Sequence, residues 1–273
     1  MKDKKILFTD IDGTLLNDKR EIPKENLEAI KKALDRGHFV VIATGRPLDS
    51  GKKVAEEAGL MMPGCYMIAY NGAIIYDCGE DRVLEKKTVP YPYVKELFER
   101  AKKAGLYVQT YNKTQIITTE DSEELEYYRQ HTKMTYQVVH DVLGALEEEP
   151  QKVMLINLED KSRLEQFQRD NMEWQEGKCH SFFSMDTYLE YAPLNATKAY
   201  GIHYLCELLK IPLENTIAAG DERNDIPMLK EARIGVAMKN AKEEVKECAD
   251  YVTERTNNEG GIAEVIEKFM LQI

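Results

Sequence analysis

The chain has 273 residues with a net charge of −11, of which 31% are charged and 43% hydrophobic. That balance excludes a disordered chain, and the lack of any apolar run of about 18 residues excludes a membrane-spanning helix. A sequence-independent nucleic-acid binder needs clustered cations, and no basic cluster here is longer than pairs such as Lys31-Lys32 and Lys102-Lys103.

In chain order, Met1-Lys2-Asp3-Lys4-Lys5 leads into a short apolar run that Asp10 ends, too short for the core of a signal peptide. Buried strands are predicted at Ile6–Thr9, Phe39–Ala43 and Met67–Tyr70, and later at Thr216–Ala219, Ile234–Ala237 and Tyr251–Thr253. Each is rich in β-formers and ends in polar or glycine punctuation. Helical patterns lie between most of them. Pro23–Arg36 carries Leu27, Ile30 and Leu34 on one stripe, with Pro23 suited to the first turn and Gly37 to the stop. Pro47–Ala58 and Ile226–Ala232 are further helices. Strands alternating with helices predict an α/β fold built on a doubly wound parallel sheet.

The middle of the chain has a different pattern. Tyr107–Tyr111 and Gln115–Thr119 are alternating strands joined by Asn112-Lys113-Thr114, a hairpin-like turn. Helices are expected at Ser122–His131, Val142–Glu148 and Ser162–Asp170, with a strand at Lys152–Asn157. This predicts an α+β module inserted between the third core strand and the rest of the sheet. Residues 1–83 and 191–273 then form the core and 84–190 the inserted module, with boundaries near Gly79–Lys87 and Glu190–Pro193.

The five cysteines are odd in number and widely spaced, and no CxxC occurs. That pattern suits reduced thiols in a cytoplasmic protein. No His or Cys pair has zinc-ligand spacing, and His38, His131, His140, His180 and His203 are scattered.

Polar residues fall just after the predicted strands. Asp10 and Asp12 follow the first, Thr44-Gly45-Arg46 the second, Asn71-Gly72 the third, and Gly220-Asp221-Glu222-Arg223-Asn224-Asp225 the first strand after the insert. In an open parallel sheet the ligand crevice lies at those carboxyl ends. Each segment alone has a plainer explanation: a turn for Asp10–Leu15, a helix cap for Thr44, a turn with an N-cap for Gly220–Asp225. A calcium loop does not fit, because Gly13 comes two positions early. Lys198, at the start of the pattern Ile202, Leu205, Leu208 and Leu209, would alone be a surface residue. A cation at a helix start nevertheless wants a reason, and a phosphate supplies one. Clustered carboxylates repel one another unless a cation holds them, and magnesium takes a few carboxylates together with phosphate oxygens.

Asp10-Ile11-Asp12-Gly13-Thr14-Leu15-Leu16, Ala43-Thr44-Gly45-Arg46-Pro47, Lys198 and Gly220–Asp225 together resemble the four motifs of the haloacid dehalogenase superfamily. Tyr70-Asn71-Gly72-Ala73, Gly235-Val236-Ala237-Met238 and Asn240-Ala241 are similar to its Cof-like hydrolase branch. The resemblance implies a Rossmann-like core with a substrate-selecting cap, and a phosphatase acting on small phosphorylated metabolites, sugar phosphates first. It implies Asp10 as nucleophile and Asp12 as general acid and base. It implies Mg²⁺ held by the Asp10 and Asp221 side chains and the Asp12 carbonyl. Thr44, Gly45, Arg46, Lys198 and Asn224 would hold the phosphoryl group, with Asp225 and Asn71 in support. Ala199, Lys239 and Gly260 depart from the branch's usual residues, and none is a motif carboxylate. The alternatives are a phosphomutase of the phosphomannomutase type and a non-catalytic ligand-binding protein on the same fold. Cap residues considered as substrate contacts are Tyr107, Gln109, Tyr111, Gln115, Trp174, His180 and Tyr188. The expected partner is a small metabolite, without nucleic acid or membrane, in a monomer or weak homo-oligomer.

Overall fold

The computed structural model describes residues 4–272; the lead-in Met1–Asp3 and the side chain of His131 lie outside the described residues. The chain divides into two compact units, one built from the segments up to Glu85 and from Thr197 onward, the other from Lys86–Ala196.

The strands are β1 (Ile6–Thr9), β2 (Phe39–Ala43), β3 (Tyr66–Ala69), β4 (Ile74–Asp77), β5 (Arg82–Lys86), β6 (Tyr107–Tyr111), β7 (Gln115–Thr118), β8 (Thr135–Val138), β9 (Val153–Ile156), β10 (Cys179–Met185), β11 (Tyr188–Pro193), β12 (Thr216–Gly220), β13 (Ile234–Ala237) and β14 (Tyr251–Val252). The helices that matter below are α1 (Lys24–Asp35), α2 (Leu48–Glu57), α3 (Tyr91–Ala104), α4 (Glu123–Thr132), α5 (Lys161–Asp170), α6 (Met172–Gln175), α7 (Lys198–Leu209) and α8 (Ile226–Glu231).

The first unit holds a sheet in the order β14-β13-β12-β1-β2-β3-β4-β5. From β14 to β3 the neighbours are parallel. The chain winds outward from β1 through β2 and β3 on one side and from β12 through β13 on the other. The strand order therefore reverses between β1 and β12, where an open α/β sheet forms its crevice. All four β1 side chains are buried, which is why that strand reads as a continuous apolar run.

Two expectations are corrected in this unit. The sheet is not wholly parallel: β4 returns antiparallel on β3, with Tyr66 opposite Asp77, and β5 follows at the edge. β5 went unseen because Arg82-Val83-Leu84-Glu85-Lys86 is a charged, half-exposed edge strand. In α1 the buried face is Asn26, Ala29, Ile30 and Ala33, so the stripe through Leu27 and Leu34 is displaced. Asn26 is tolerated inside because its amide donates to the Leu15 carbonyl (3.2 Å) and accepts from the Ala263 N–H (2.8 Å).

The second unit holds a six-stranded sheet in the order β10-β11-β9-β6-β7-β8, antiparallel except for β7 and β8. Alternation along each strand sends Val108, Val153, Leu155, Leu189 and Tyr191 into an apolar core with Val94, Leu97 and Phe98 of α3 and Leu164 and Phe167 of α5. The intervening residues Gln109, Tyr111, Lys152, Met154 and Glu190 are also buried. The helix expected at Val142–Glu148 is one short turn, Leu143–Ala145. Gly144 in the middle and Pro150 just beyond explain why it does not propagate. No helix among the described residues is long and apolar enough to cross a membrane.

Candidate active site

Asp10 leaves β1 with its N–H still in the ladder, donating to the Ala219 carbonyl (3.0 Å). The chain then turns sharply: Asp12 is extended and Gly13 adopts φ +73°. Glycine is needed at 13 twice over, for that left-handed conformation and because a Cβ would lie 2.3 Å from the Asp221 carboxylate. Thr14 then donates from Oγ1 to Asp221 Oδ1 (2.6 Å). Sequence reasoning gave Thr14 no role; its only signal was a hydroxyl in the same turn.

The loop after β12 delivers the second set of carboxylates. Gly220 lacks the Cβ that would otherwise meet the Asp225 carboxyl group at 2.4 Å. Asp225 can therefore fold back and accept the N–H groups of Asp221 and Glu222 on Oδ2 (2.9 and 3.0 Å). Its Oδ1 receives Lys198 Nζ (2.5 Å), and the same ammonium reaches Asp10 Oδ1 (2.6 Å). Lys198 is the first residue of α7, capped by the Thr197 side chain, and only 1% exposed. The surface alternative for Lys198 is therefore overturned.

Carboxylate oxygens of Asp10, Asp221 and Asp225 all lie within 4.8 Å of one another. Three carboxylates face one ammonium, an excess of negative charge in a buried place. Burial first, then Asp225 and Asp12, push the Asp10 carboxyl up to about 7, against the pull of Lys198. Burial, Asp225 and Asp10 likewise hold Asp221 well above the usual carboxylate range. Burial works against the Lys198 ammonium, but Asp10 and Asp225 outweigh it and raise its pKa. A donor set made only of carboxylate oxygen suits a hard divalent cation that binds oxygen and retains water.

The Asp12 side chain is outside this cluster. It is 60% exposed and held in a two-point pair by Arg46, Nε to Oδ2 at 2.7 Å and Nη2 to Oδ1 at 2.5 Å. Its place near a cation would have to come from the main-chain carbonyl. Arg46, expected at the phosphoryl group, pairs with Asp12 in this structure. Thr44 is buried; its Oγ1 accepts from the Arg46 N–H (3.1 Å) and so turns the loop before α2 rather than capping the helix. Asn224 Nδ2 donates to Asn71 Oδ1 (3.0 Å), and the Asn71 N–H to the Thr44 carbonyl (2.9 Å).

The cap residues scatter. Tyr107, Gln109 and Tyr111 form a buried chain, Tyr107 Oη to Gln109 Oε1 at 2.9 Å and Gln109 Nε2 to Tyr111 Oη at 2.6 Å. Trp174 packs edge-on to Tyr93 and Tyr191 on the apolar side. His180 stacks on Phe182, Tyr188 packs on Tyr127 and Tyr128, and Gln115 accepts from Gln137 (2.6 Å).

A doubly wound sheet carrying a buried lysine among aspartates at its reversal point defines an α/β protein with a charged ligand crevice. Comparison with known proteins narrows it. A profile of the haloacid dehalogenase-like hydrolases matches residues 7–266. The chain is 32% identical over 272 residues, 98% of its length and 97% of the relative's, to the 5-amino-6-(5-phospho-D-ribitylamino)uracil phosphatase YcsE of Bacillus subtilis. It superposes with TM-score 0.88 on a haloacid dehalogenase-like hydrolase from Bacteroides thetaiotaomicron, at 32% identity over 97% of this chain and 99% of that one. A subclass IIB sugar phosphatase gives 0.81 at 27% identity over 97% and 99%. The chain belongs to the haloacid dehalogenase-like hydrolases, in the Cof-like branch, and is a phosphatase.

Proposed function

We propose that the enzyme is a Mg²⁺-dependent phosphatase that hydrolyses small phosphorylated metabolites, sugar or sugar-alcohol phosphates first, through a phosphoryl group carried on Asp10. The observation that carries the reading is the buried cluster of Asp10, Asp221 and Asp225 around Lys198 at the point where the strand order reverses. The phosphorylated ribityl substrate in the name of the Bacillus subtilis relative and the sugar phosphatase among the structural neighbours support the substrate class.

Asp10 would attack phosphorus, forming an Oδ–P bond as the P–O bond to the substrate breaks. Asp12 gives its proton to the leaving oxygen, for which one carboxyl oxygen must swing from Arg46. Water then attacks the aspartyl-phosphate, Asp12 takes its proton, and phosphate leaves with Asp10 regenerated. Lys198, the Gly45 amide, Thr44 and Asn224 hold the phosphoryl oxygens, while Asp225 fixes Lys198. The residues fit Mg²⁺, which Asp10, Asp221 and the Asp12 carbonyl would hold; bound there, it would neutralise charge on the transferring group. The test is release of inorganic phosphate from a panel of phosphorylated sugars, sugar alcohols and ribitylaminouracil phosphate, with Mg²⁺ and with excess EDTA. Mg²⁺-dependent release without a bisphosphate activator is expected. Full activity in EDTA, or turnover only with such an activator, would overturn the reading.

A further inference from the structure

Tyr70, Asn71 and Gly72 all have positive φ, at 50°, 55° and 103°. Two successive non-glycine residues in the left-handed region, one of them an aromatic, are an uncommon and costly arrangement. The turn is buried, and every part of it touches a segment that the reading above assigns to the phosphoryl group. The Tyr70 N–H donates to the Arg46 carbonyl (3.0 Å) and the Asn71 N–H to the Thr44 carbonyl (2.9 Å). Gly72 abuts the residue before Lys198, where a Cβ would lie 2.1 Å from the Thr197 carbonyl oxygen. The Asn71 carboxamide packs against Gly45, where a Cβ would come within 2.9 Å of its Nδ2, and its Oδ1 takes one N–H of Asn224 (3.0 Å).

We propose that Asn71 is a positioning residue: it takes one of the two Asn224 amide hydrogens and so aims the other at the transferring phosphoryl group. This rests on the phosphatase reading above. A carboxamide nitrogen has two donors in a fixed plane. Once one is held by a carboxamide that is pressed against Gly45, on a residue whose main-chain N–H is anchored on the Thr44 carbonyl, the direction of the second is set. The left-handed turn is what brings the Asn71 side chain between the loop after β2 and the loop after β12.

The test is a double-mutant cycle on phosphate release and on inhibition by vanadate. Asn71→Gly accepts the left-handed backbone and deletes the carboxamide. It should lower kcat/KM and weaken vanadate inhibition by roughly tenfold, the scale of one hydrogen bond. On an Asn224→Ala background the same change should have almost no effect. Gly45→Ala reaches the same contact from the other side: its Cβ displaces the Asn71 carboxamide while keeping the residue-45 amide, so its loss should also shrink in Asn224→Ala. A merely structural Asn71 would lower the melting temperature and multiply with Asn224→Ala. Effects that multiply in both cycles, or wild-type kinetics in Asn71→Gly, overturn the inference. A wild-type protein that releases no phosphate sinks the phosphatase reading itself, which is a different result.

Discussion

Each unit buries a lysine, and the two lysines are not alike. In the unit of Lys86–Ala196, Lys152 (2% exposed), just before β9, pairs with Glu190 of β11 at 3.1 Å, and Ser184 donates to the other Glu190 oxygen (2.6 Å). One charge meets one charge, and the carboxylate is satisfied on both oxygens. At the reversal point of the other sheet, Lys198 stands among three carboxylates, and Asp10 and Asp221 are pushed toward their protonated forms. A balanced buried pair needs nothing further and belongs to the fold. An unbalanced cluster has room for a cation and a substrate to complete it, as the proposed function requires, and that imbalance, more than burial, marks the candidate active site.

The largest effect should follow from removing the proposed nucleophile. Asp10→Asn keeps the shape, and phosphate release should fall by roughly 10⁴-fold or more, the scale for covalent nucleophiles. Because it takes one charge from a cluster that has too many, the metal-free variant should melt no lower than wild type at neutral pH. A variant that melts far lower would show that the Asp10 carboxylate is a structural partner like Glu190. The exposed Asp12 sharpens the contrast next. As general acid it is worth roughly 10²–10⁴-fold, and the need is greatest for a basic leaving oxygen. Asp12→Asn should slow single-turnover phosphorylation far more with a sugar phosphate than with p-nitrophenyl phosphate. Equal losses on both substrates would remove the acid role.

How much of this the sequence disclosed follows the same division. The candidate site residues Asp10, Thr44, Asn71 and Asp221 sit immediately after short apolar strands, so their places could be read from local pattern; the fold brings Asp10 beside Asp221 and Thr44 beside Asn71. Which side chain each would touch could not be read. Arg46 turned to Asp12, 34 positions away, because the Thr44–Arg46 turn aims it there. Thr14 on Asp221 and Asn71 on Asn224 span 207 and 153 positions. In the inserted unit Lys152 and Glu190 lie 38 positions apart and meet through the antiparallel pairing of β9 and β11, so nothing in the local pattern singled out either residue. Val142–Glu148 has helical periodicity but no chain beyond it able to continue the helix.

The balanced pair supplies the third test. Lys152→Met leaves Glu190 buried without its cation and should cost about 3–5 kcal/mol of stability, read as a lowered melting temperature. Lys152→Met with Glu190→Gln removes both charges and should recover most of the loss. No recovery would mean that Lys152 acts through something other than charge balance.

The smallest expected effect concerns the cation and its sign with pH. Asp10 titrates near 3.8 when unperturbed and near 7 in the metal-free fold, so between those values the native state holds a proton that the unfolded chain has released. Stability of the metal-free protein should therefore fall as pH rises through that window. Asp221, shifted the same way, adds to the slope. Under the proposed function Mg²⁺ would compete with those protons, because only the ionised carboxylates would bind it. At a concentration near 100 times its dissociation constant a ligand stabilises by about 2.7 kcal/mol; at pH 8 the gain in melting temperature with Mg²⁺ should approach that scale, and at pH 5.5 proton competition should shrink it. Asp10→Asn removes one ligand and one titrating group together, so it should reduce both the gain and its pH dependence, whereas Lys152→Met with Glu190→Gln should change neither. Equal gains at the two pH values in the wild type would mean that the cation binds elsewhere, and the imbalance around Lys198 would then have to be answered by the substrate alone.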